Sequence, residues 1–123
     1  GGLFYRPTLV TNAKIDSEIL TAEIFGPVLT MQTFESDTEG LAMANGTEFG
    51  LAAVLVTSSR ERAEAFTKHL VAGTIWVNCF FVRDLQAPFG GSRKSGVGRE
   101  GGSWSFDFYA DVKNTVYAPT GWK

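Results

Sequence analysis

The chain has 123 residues, of which 44% are hydrophobic and 20% charged, a composition that permits a compact folded domain. Its formal charge is −2, and the eleven Lys and Arg are scattered, which argues against binding to nucleic acid or to an anionic membrane. The single cysteine, Cys79, excludes an internal disulfide and fits a reducing, cytoplasmic compartment, and no apolar run approaches the about 18 residues that span a bilayer.

The first half of the chain predicts strands separated by a short helix. Residues 4–10 are aromatic and β-branched but contain a proline, which limits them to an edge strand or an extended segment. Residues 28–34 alternate apolar and polar side chains and predict a strand. Asp37 is the candidate N-cap of a helix that runs through Ala44, and Asn45-Gly46 is a plausible stop.

The middle of the chain continues this alternation. Residues 51–57 form an apolar run of strand length, as expected where both faces of a sheet are covered. Ser58 and Glu61 have the spacing of a capping box, and the helix that follows is expected to end near Gly73. Residues 74–78 are again strand-like. The pattern predicts an α/β fold, a mainly parallel sheet with flanking helices.

The last third of the chain begins with a long segment rich in glycine. Residues 78–102 read as a loop, and a loop of this length inside a domain is usually functional. Residues 103–110 predict a short helix, and residues 112–118 alternate as a final strand.

Residues 96–101 within that loop match the letters of the G-x-G-x-x-G dinucleotide fingerprint. The fingerprint needs a preceding strand, a helix starting at its end and an acid about 20 positions further on. Residues 92–95 do not read as a strand and no acid follows at that distance, so a phosphate cradle is only a minor alternative.

His69, at a helix end without a second ligand nearby, is interpreted as a surface or capping histidine.

Six segments resemble, in order and spacing, the C-terminal part of the NAD(P)-dependent aldehyde dehydrogenases. They are Arg6-Pro7-Thr8-Leu9-Val10, Glu23 to Val28, Gly50-Leu51-Ala52-Ala53, Ala72 to Asn78, Pro88-Phe89-Gly90-Gly91 and Lys94 to Glu100. The resemblance implies that residues 1–110 are the C-terminal part of a catalytic domain and that residues 111–123 are an oligomerisation strand and tail. The implied parent oxidises an aldehyde to the acid with NAD, NADP not being excluded, as a homo-oligomer joined through that strand.

Glu23 and Phe25 are the candidate cofactor-binding residues. They precede Gly26-Pro27, a turn able to aim a carboxylate and an aromatic ring at a nucleoside. By resemblance, Glu23 accepts from the nicotinamide ribose and Phe25 packs near the nicotinamide. Where the family commonly has another acid, this chain has Ala22, and a solvated carboxylate is the alternative for Glu23.

Arg83 and Phe89 are the candidate substrate-binding residues. The string Val82-Arg83-Asp84-Leu85 resembles the branch that oxidises carboxylate-bearing semialdehydes, the hydroxymuconic and aminomuconic semialdehyde dehydrogenases. A guanidinium binds a carboxylate bidentately, which makes Arg83 the predicted substrate anchor. The alternatives are a solvated Arg83–Asp84 pair and a Phe89 that only packs in a core.

The neighbours of this segment have structural interpretations. Phe80 and Phe81 would point to opposite sides if they were extended, and one of them is expected to face the pocket. Cys79 follows Val77-Asn78, and the family's nucleophile lies in a separate upstream motif, so Cys79 is interpreted as a small buried thiol.

The motifs that carry the family's nucleophile, general base and most of the cofactor domain are missing from these residues. We therefore assign no catalytic residue and no metal site, and expect the isolated chain to be inactive. The start at Gly1-Gly2, without Met, suggests a piece of a longer protein, and such a piece would expose sheet surface and tend to aggregate. The alternative is a truncated paralogue that acts as a non-catalytic oligomerisation or anion-binding module.

Overall fold

The computed structural model describes residues 2–121, and within them four strands and four α-helices alternate along much of the chain. This confirms the predicted α/β class. The elements in chain order are β1 Thr8–Thr11, α1 Glu18–Thr21, β2 Val28–Met31, α2 Asp37–Ala44, β3 Ala52–Leu55, α3 Arg60–His69, β4 Thr74–Val77 and α4 Trp104–Tyr109, with a 3₁₀ turn at Arg93–Ser95 before α4.

The strands form two separate parallel pairs in the described residues. β1 pairs with β2, with Thr8 opposite Val28, and β3 pairs with β4, with Ala52 opposite Thr74. A parallel pair needs a crossover, and α1 and α3 supply it in the two units. Both units carry candidate site residues, Glu23 and Phe25 between α1 and β2, and Arg83 in the loop that follows β4.

The helix caps differ by one residue from the sequence prediction. Ser36, not Asp37, caps α2, and Ser59, not Ser58, caps α3. In both cases the cap residue is extended and its hydroxyl accepts from the N–H three residues on. Asp37 is instead the first helical residue of α2 and pairs with Arg62 of α3, and this hydrogen bond raises the pKa of Arg62.

Two asparagine side chains join the ends of these elements. Asn45 is the C-cap of α2, as predicted, and its amide donates to His69 O at 3.0 Å and accepts from Val71 N at 2.8 Å. Asn78, directly after β4, donates to Thr57 O at 2.8 Å and accepts from Thr57 N at 2.9 Å. Each amide therefore bonds to the main chain as a peptide group would.

Residues 112–118 form no ladder with other described residues. Their role as an oligomerisation strand stays a prediction, because the ladder of such a strand would lie in another subunit. The prediction that Cys79 is buried is wrong, because this residue is exposed. It directly follows Asn78, whose φ of 54° lies in the left-handed region, at the end of β4.

The chain exposes far more surface than a compact protein of its size. Its accessible surface is 10312 Å², against about 6,500 Å² for a typical folded monomer of 13.4 kDa. Among the described residues, Trp76 is the only buried hydrophobic side chain. Both sheets therefore present apolar faces that this chain does not cover. No described helix is long and apolar enough to cross a membrane.

Candidate functional site

Trp76, on β4, anchors the loop that carries the predicted substrate residue. Its side chain is 8% exposed, and its indole Nε1–H donates to Val82 O at 2.8 Å. Its ring also contacts Phe80 edge-on at 5.7 Å and Phe81 at 6.0 Å between centroids. One buried side chain on a strand therefore holds three positions of the loop, residues 80–82.

The backbone between β4 and this loop is not extended. Asn78 and Phe81 have φ angles of 54° and 56°, in the left-handed region. The condition under which Phe80 and Phe81 would point to opposite sides is therefore not met, and their rings lie 5.8 Å apart and both pack on Trp76.

Arg83 lies against aromatic rings, and its N–H groups donate to no residue that the structure describes. Its guanidinium carbon is 4.8 Å from the centroid of Phe89 and 5.9 Å from that of Phe81, within the range of a cation–π contact. Asp84 forms no ion pair with it, and its Oδ1 accepts from Gln86 N at 2.9 Å. In residues 2–121, Arg83 has no carboxylate partner, and both Arg83 and Asp84 are exposed, so the alternative of a solvated loop pair stays open beside the predicted substrate anchor.

Phe89 is held in place by a reciprocal backbone bridge. Its N–H donates to Glu100 O at 2.7 Å, and Glu100 N–H donates back at 2.8 Å. The side chain of Phe89 is half-buried. The backbone that carries the Phe89 ring is therefore joined to Glu100, near the end of the glycine-rich loop.

The backbone of that glycine-rich segment bonds to and packs against other parts of the chain. A 3₁₀ turn precedes it where the dinucleotide fingerprint needs a strand, and the backbone of Glu100 pairs with Phe89. Gly101 has a φ of 98° and lies so close to the chain that a Cβ there would be 2.3 Å from Ala87 O. The geometry does not fit a phosphate cradle.

Glu23 and Phe25 lie in the connection between α1 and β2. Two tight backbone bonds shape it, Gly26 N to Ile24 O at 2.7 Å and Val28 N to Gly26 O at 2.8 Å. Phe25 is 94% exposed, and Glu23 has no hydrogen-bond partner in the described part of the chain. Gly26 is not among the glycines with positive φ, so the turn does not depend on a left-handed residue there.

Glu23 and Phe89 line two clefts that adjoin each other. Glu23 borders an open cleft of about 780 Å³ along β3, together with Lys94. Phe89 borders a smaller one of about 390 Å³ beside the glycine-rich segment. Leu51 and Ser95 line both. The structure thus brings Arg83 and Phe89 into contact and sets Glu23 on the next cleft, whereas Phe25 projects into solvent.

Sequence reasoning missed Trp76 altogether and left Phe80 and Phe81 undecided. The available signals were a tryptophan inside a predicted strand and an asparagine at its end, the residue type most tolerant of a left-handed turn after glycine. Among residues 2–121, no three His, Cys, Asp or Glu lie together as metal ligands.

The whole pattern agrees with a known family. The aldehyde dehydrogenase family matches residues 1–115, and this chain belongs to it.

Individual relatives carry similar sequences and a similar fold. The chain is 43% identical to a peroxisomal aminoaldehyde dehydrogenase 1 of Malus domestica over 98% of its length, and 43% identical to a 2-hydroxymuconic semialdehyde dehydrogenase of Pseudomonas putida over 93%. A betaine aldehyde dehydrogenase of Staphylococcus aureus, solved with NAD⁺, superposes on 88% of the chain with a TM-score of 0.82 and 38% identity. These matches occupy only 25%, 24% and 22% of the respective relatives, so the chain spans about a quarter of their length.

Proposed function

We propose that this chain is the C-terminal part of an NAD-dependent dehydrogenase that oxidises a carboxylate-bearing semialdehyde to the acid. The observation that carries the proposal is Arg83, a guanidinium that lies against two aromatic rings and forms no ion pair with any acid in residues 2–121. A guanidinium without a carboxylate partner in the described residues is available to bind an anion bidentately.

The substrates named for the relatives differ in the charge that they carry besides the aldehyde. Amino and betaine groups are cationic at neutral pH, and a fixed guanidinium in the pocket repels them. A muconic semialdehyde carries a carboxylate, which the same guanidinium attracts at short range and bonds bidentately. Arg83 therefore favours the kind of substrate named for the Pseudomonas putida relative over that of the Malus domestica relative.

The residues predicted to hold NAD fit its nucleoside end. Glu23 has both carboxylate oxygens free in the described residues and borders a cleft of about 780 Å³, so it is able to accept hydrogen bonds from vicinal ribose hydroxyls. Phe25 is exposed and offers a ring face for the nicotinamide. Hydride acceptance is the chemistry that NAD supplies when bound.

The surface of the chain agrees with its being part of a larger assembly. The excess of accessible surface over a compact monomer is about 3,800 Å², the scale of an obligate interface. We propose that the rest of the enzyme, with its nucleophile and general base, covers most of this surface, and that residues 111–123 contribute to contact between subunits. The intact mass of the native protein tests this, since a mass near 13.4 kDa would leave only a free-standing module.

The substrate proposal is tested by Arg83→Met in the complete enzyme. We expect kcat/KM for a carboxylated semialdehyde to fall about 10- to 100-fold, the value of one charge-assisted bond, while a neutral aldehyde of the same length is unaffected. An equal loss for both aldehydes would contradict the substrate assignment.

The cofactor role is tested by Glu23→Gln. We expect slower NAD-dependent turnover with an unchanged unfolding midpoint, because Glu23 bonds to nothing within the described chain. Glu18→Gln, an acid in the adjacent helix α1, is the matched control and should retain full turnover. Normal turnover of Glu23→Gln would remove Glu23 from the cofactor site.

A further inference from the structure

We propose that Phe81 is a positioning residue for Arg83, and that its ring, together with that of Phe89, holds the guanidinium by its π face so that the N–H edge meets a planar carboxylate. The inference rests on the proposed function and deepens it. Phe89 is already predicted to line the substrate pocket, whereas the sequence leaves open which of Phe80 and Phe81 faces it.

The backbone of Phe81 is the first argument. Its φ of 56° is unusual for a bulky aromatic residue, and glycine would adopt it without strain. Such a conformation persists only where the surrounding structure holds it, and it is concentrated at functional sites. At Phe81 the left-handed turn redirects the ring so that it reaches both Trp76 and the guanidinium of Arg83.

The fixed neighbours of Phe81 are the second argument. Its ring lies 6.0 Å from Trp76 and 5.8 Å from Phe80, and the indole of Trp76 also binds Val82 O, the carbonyl directly before Arg83. The ring of Phe81 thus packs on Trp76, the one buried hydrophobic residue of the described chain. Arg83 therefore follows directly after a backbone carbonyl that is anchored to this buried residue.

The geometry of a guanidinium is the third argument. The guanidinium carbon lies 5.9 Å from the centroid of Phe81 and 4.8 Å from that of Phe89, distances at which a ring can stack on its flat face, and all five N–H groups lie in its own plane. No described residue accepts from these N–H groups. A carboxylate is therefore expected to approach in the plane and accept two parallel bonds.

The test compares variants of Phe81 and Phe80 in the complete enzyme, because both rings pack on Trp76 and only Phe81 contacts Arg83. Phe81→Gly keeps the left-handed turn and removes the ring, Phe81→Tyr keeps the ring, and Phe80→Ala is the matched control. The substrates are a carboxylated semialdehyde and a neutral aldehyde of equal length.

We expect Phe81→Gly to raise KM for the carboxylated semialdehyde about three- to tenfold, the worth of one cation–π contact, without changing kcat or the KM for the neutral aldehyde. Phe81→Tyr should restore the original KM, and Phe80→Ala should leave the ratio of the two KM values unchanged. In an Arg83→Met background, Phe81→Gly should have no further effect on this ratio. Should Phe81→Gly not fold, Phe81→Leu removes the ring while keeping apolar bulk against Trp76, and the same selective rise is expected.

The outcomes separate this inference from the proposed function. If Phe81→Gly raises both KM values equally, or still changes their ratio when Arg83 is absent, the positioning role is wrong while the Arg83→Met result stands. If Arg83→Met itself leaves the selectivity between the two aldehydes unchanged, both proposals fall.

Discussion

Gly73 is the position where the structure leaves the least room for a side chain. It directly precedes β4, and a Cβ built there would lie 1.6 Å from Gly90 O and 3.3 Å from Leu51 O. The φ of Gly73 is not in the left-handed region, so the conflict is purely steric. Because the blocking atom is a backbone carbonyl, no change of rotamer relieves it, and residues 88–91 must retreat by more than about 1 Å.

We expect Gly73→Ala to lower the free energy of unfolding by about 3 kcal/mol or more, the upper end of the cost of overpacking. It should also raise KM for a carboxylated semialdehyde, because the retreat moves Phe89 away from Arg83. The assay is denaturant unfolding of the complete enzyme, followed by circular dichroism, together with steady-state kinetics. Gly26→Ala is the control, since a Cβ there meets nothing within 4 Å. If the two variants unfold at the wild-type midpoint, β4 does not abut residues 88–91 as described.

Two further predictions concern stability. Ser59→Ala should cost about 1 kcal/mol, because its hydroxyl caps α3, whereas Ser58→Ala should change stability by less than about 0.5 kcal/mol. Equal losses in denaturant unfolding would mean that the cap is not at Ser59. The isolated 123-residue chain should bind the dye ANS and give poorly dispersed amide resonances, because its apolar faces lack a cover. A dispersed spectrum without dye binding would contradict the uncovered surface.

The sequence predicts where the strands lie better than where they end. The alternation from residue 28 locates β2, but the prediction runs to residue 34 while the strand ends at Met31. The register explains this, because Met31 pairs with Thr11, the last residue of β1. In the same way β4 ends at Val77 opposite Leu55, the last residue of β3. Strand length is set by the partner, which local pattern does not reveal.

In the candidate site too, sequence motifs identify residues but do not reveal the contacts that packing sets. The resemblance assigns Arg83 and Phe89 to one pocket, and the structure places the guanidinium against the ring, while their role toward substrate stays a prediction. The contribution of Trp76 depends on an indole N–H meeting a carbonyl six residues away, and that of Phe81 on a left-handed φ. Residue type encodes neither, because packing overrides the conformational preference of an aromatic residue.

The peptide-like bonding of Asn78 reverses the usual ranking of conservative replacements. Its side chain donates with nitrogen to Thr57 O and accepts with oxygen from Thr57 N. Aspartate has nearly the same shape, yet it would set a carboxylate oxygen against that carbonyl and replace an attraction with a repulsion. Aspartate is therefore a worse substitute for Asn78 than its size suggests. The contact at the end of the β3–β4 ladder requires that the side-chain atom facing Thr57 O be a hydrogen-bond donor.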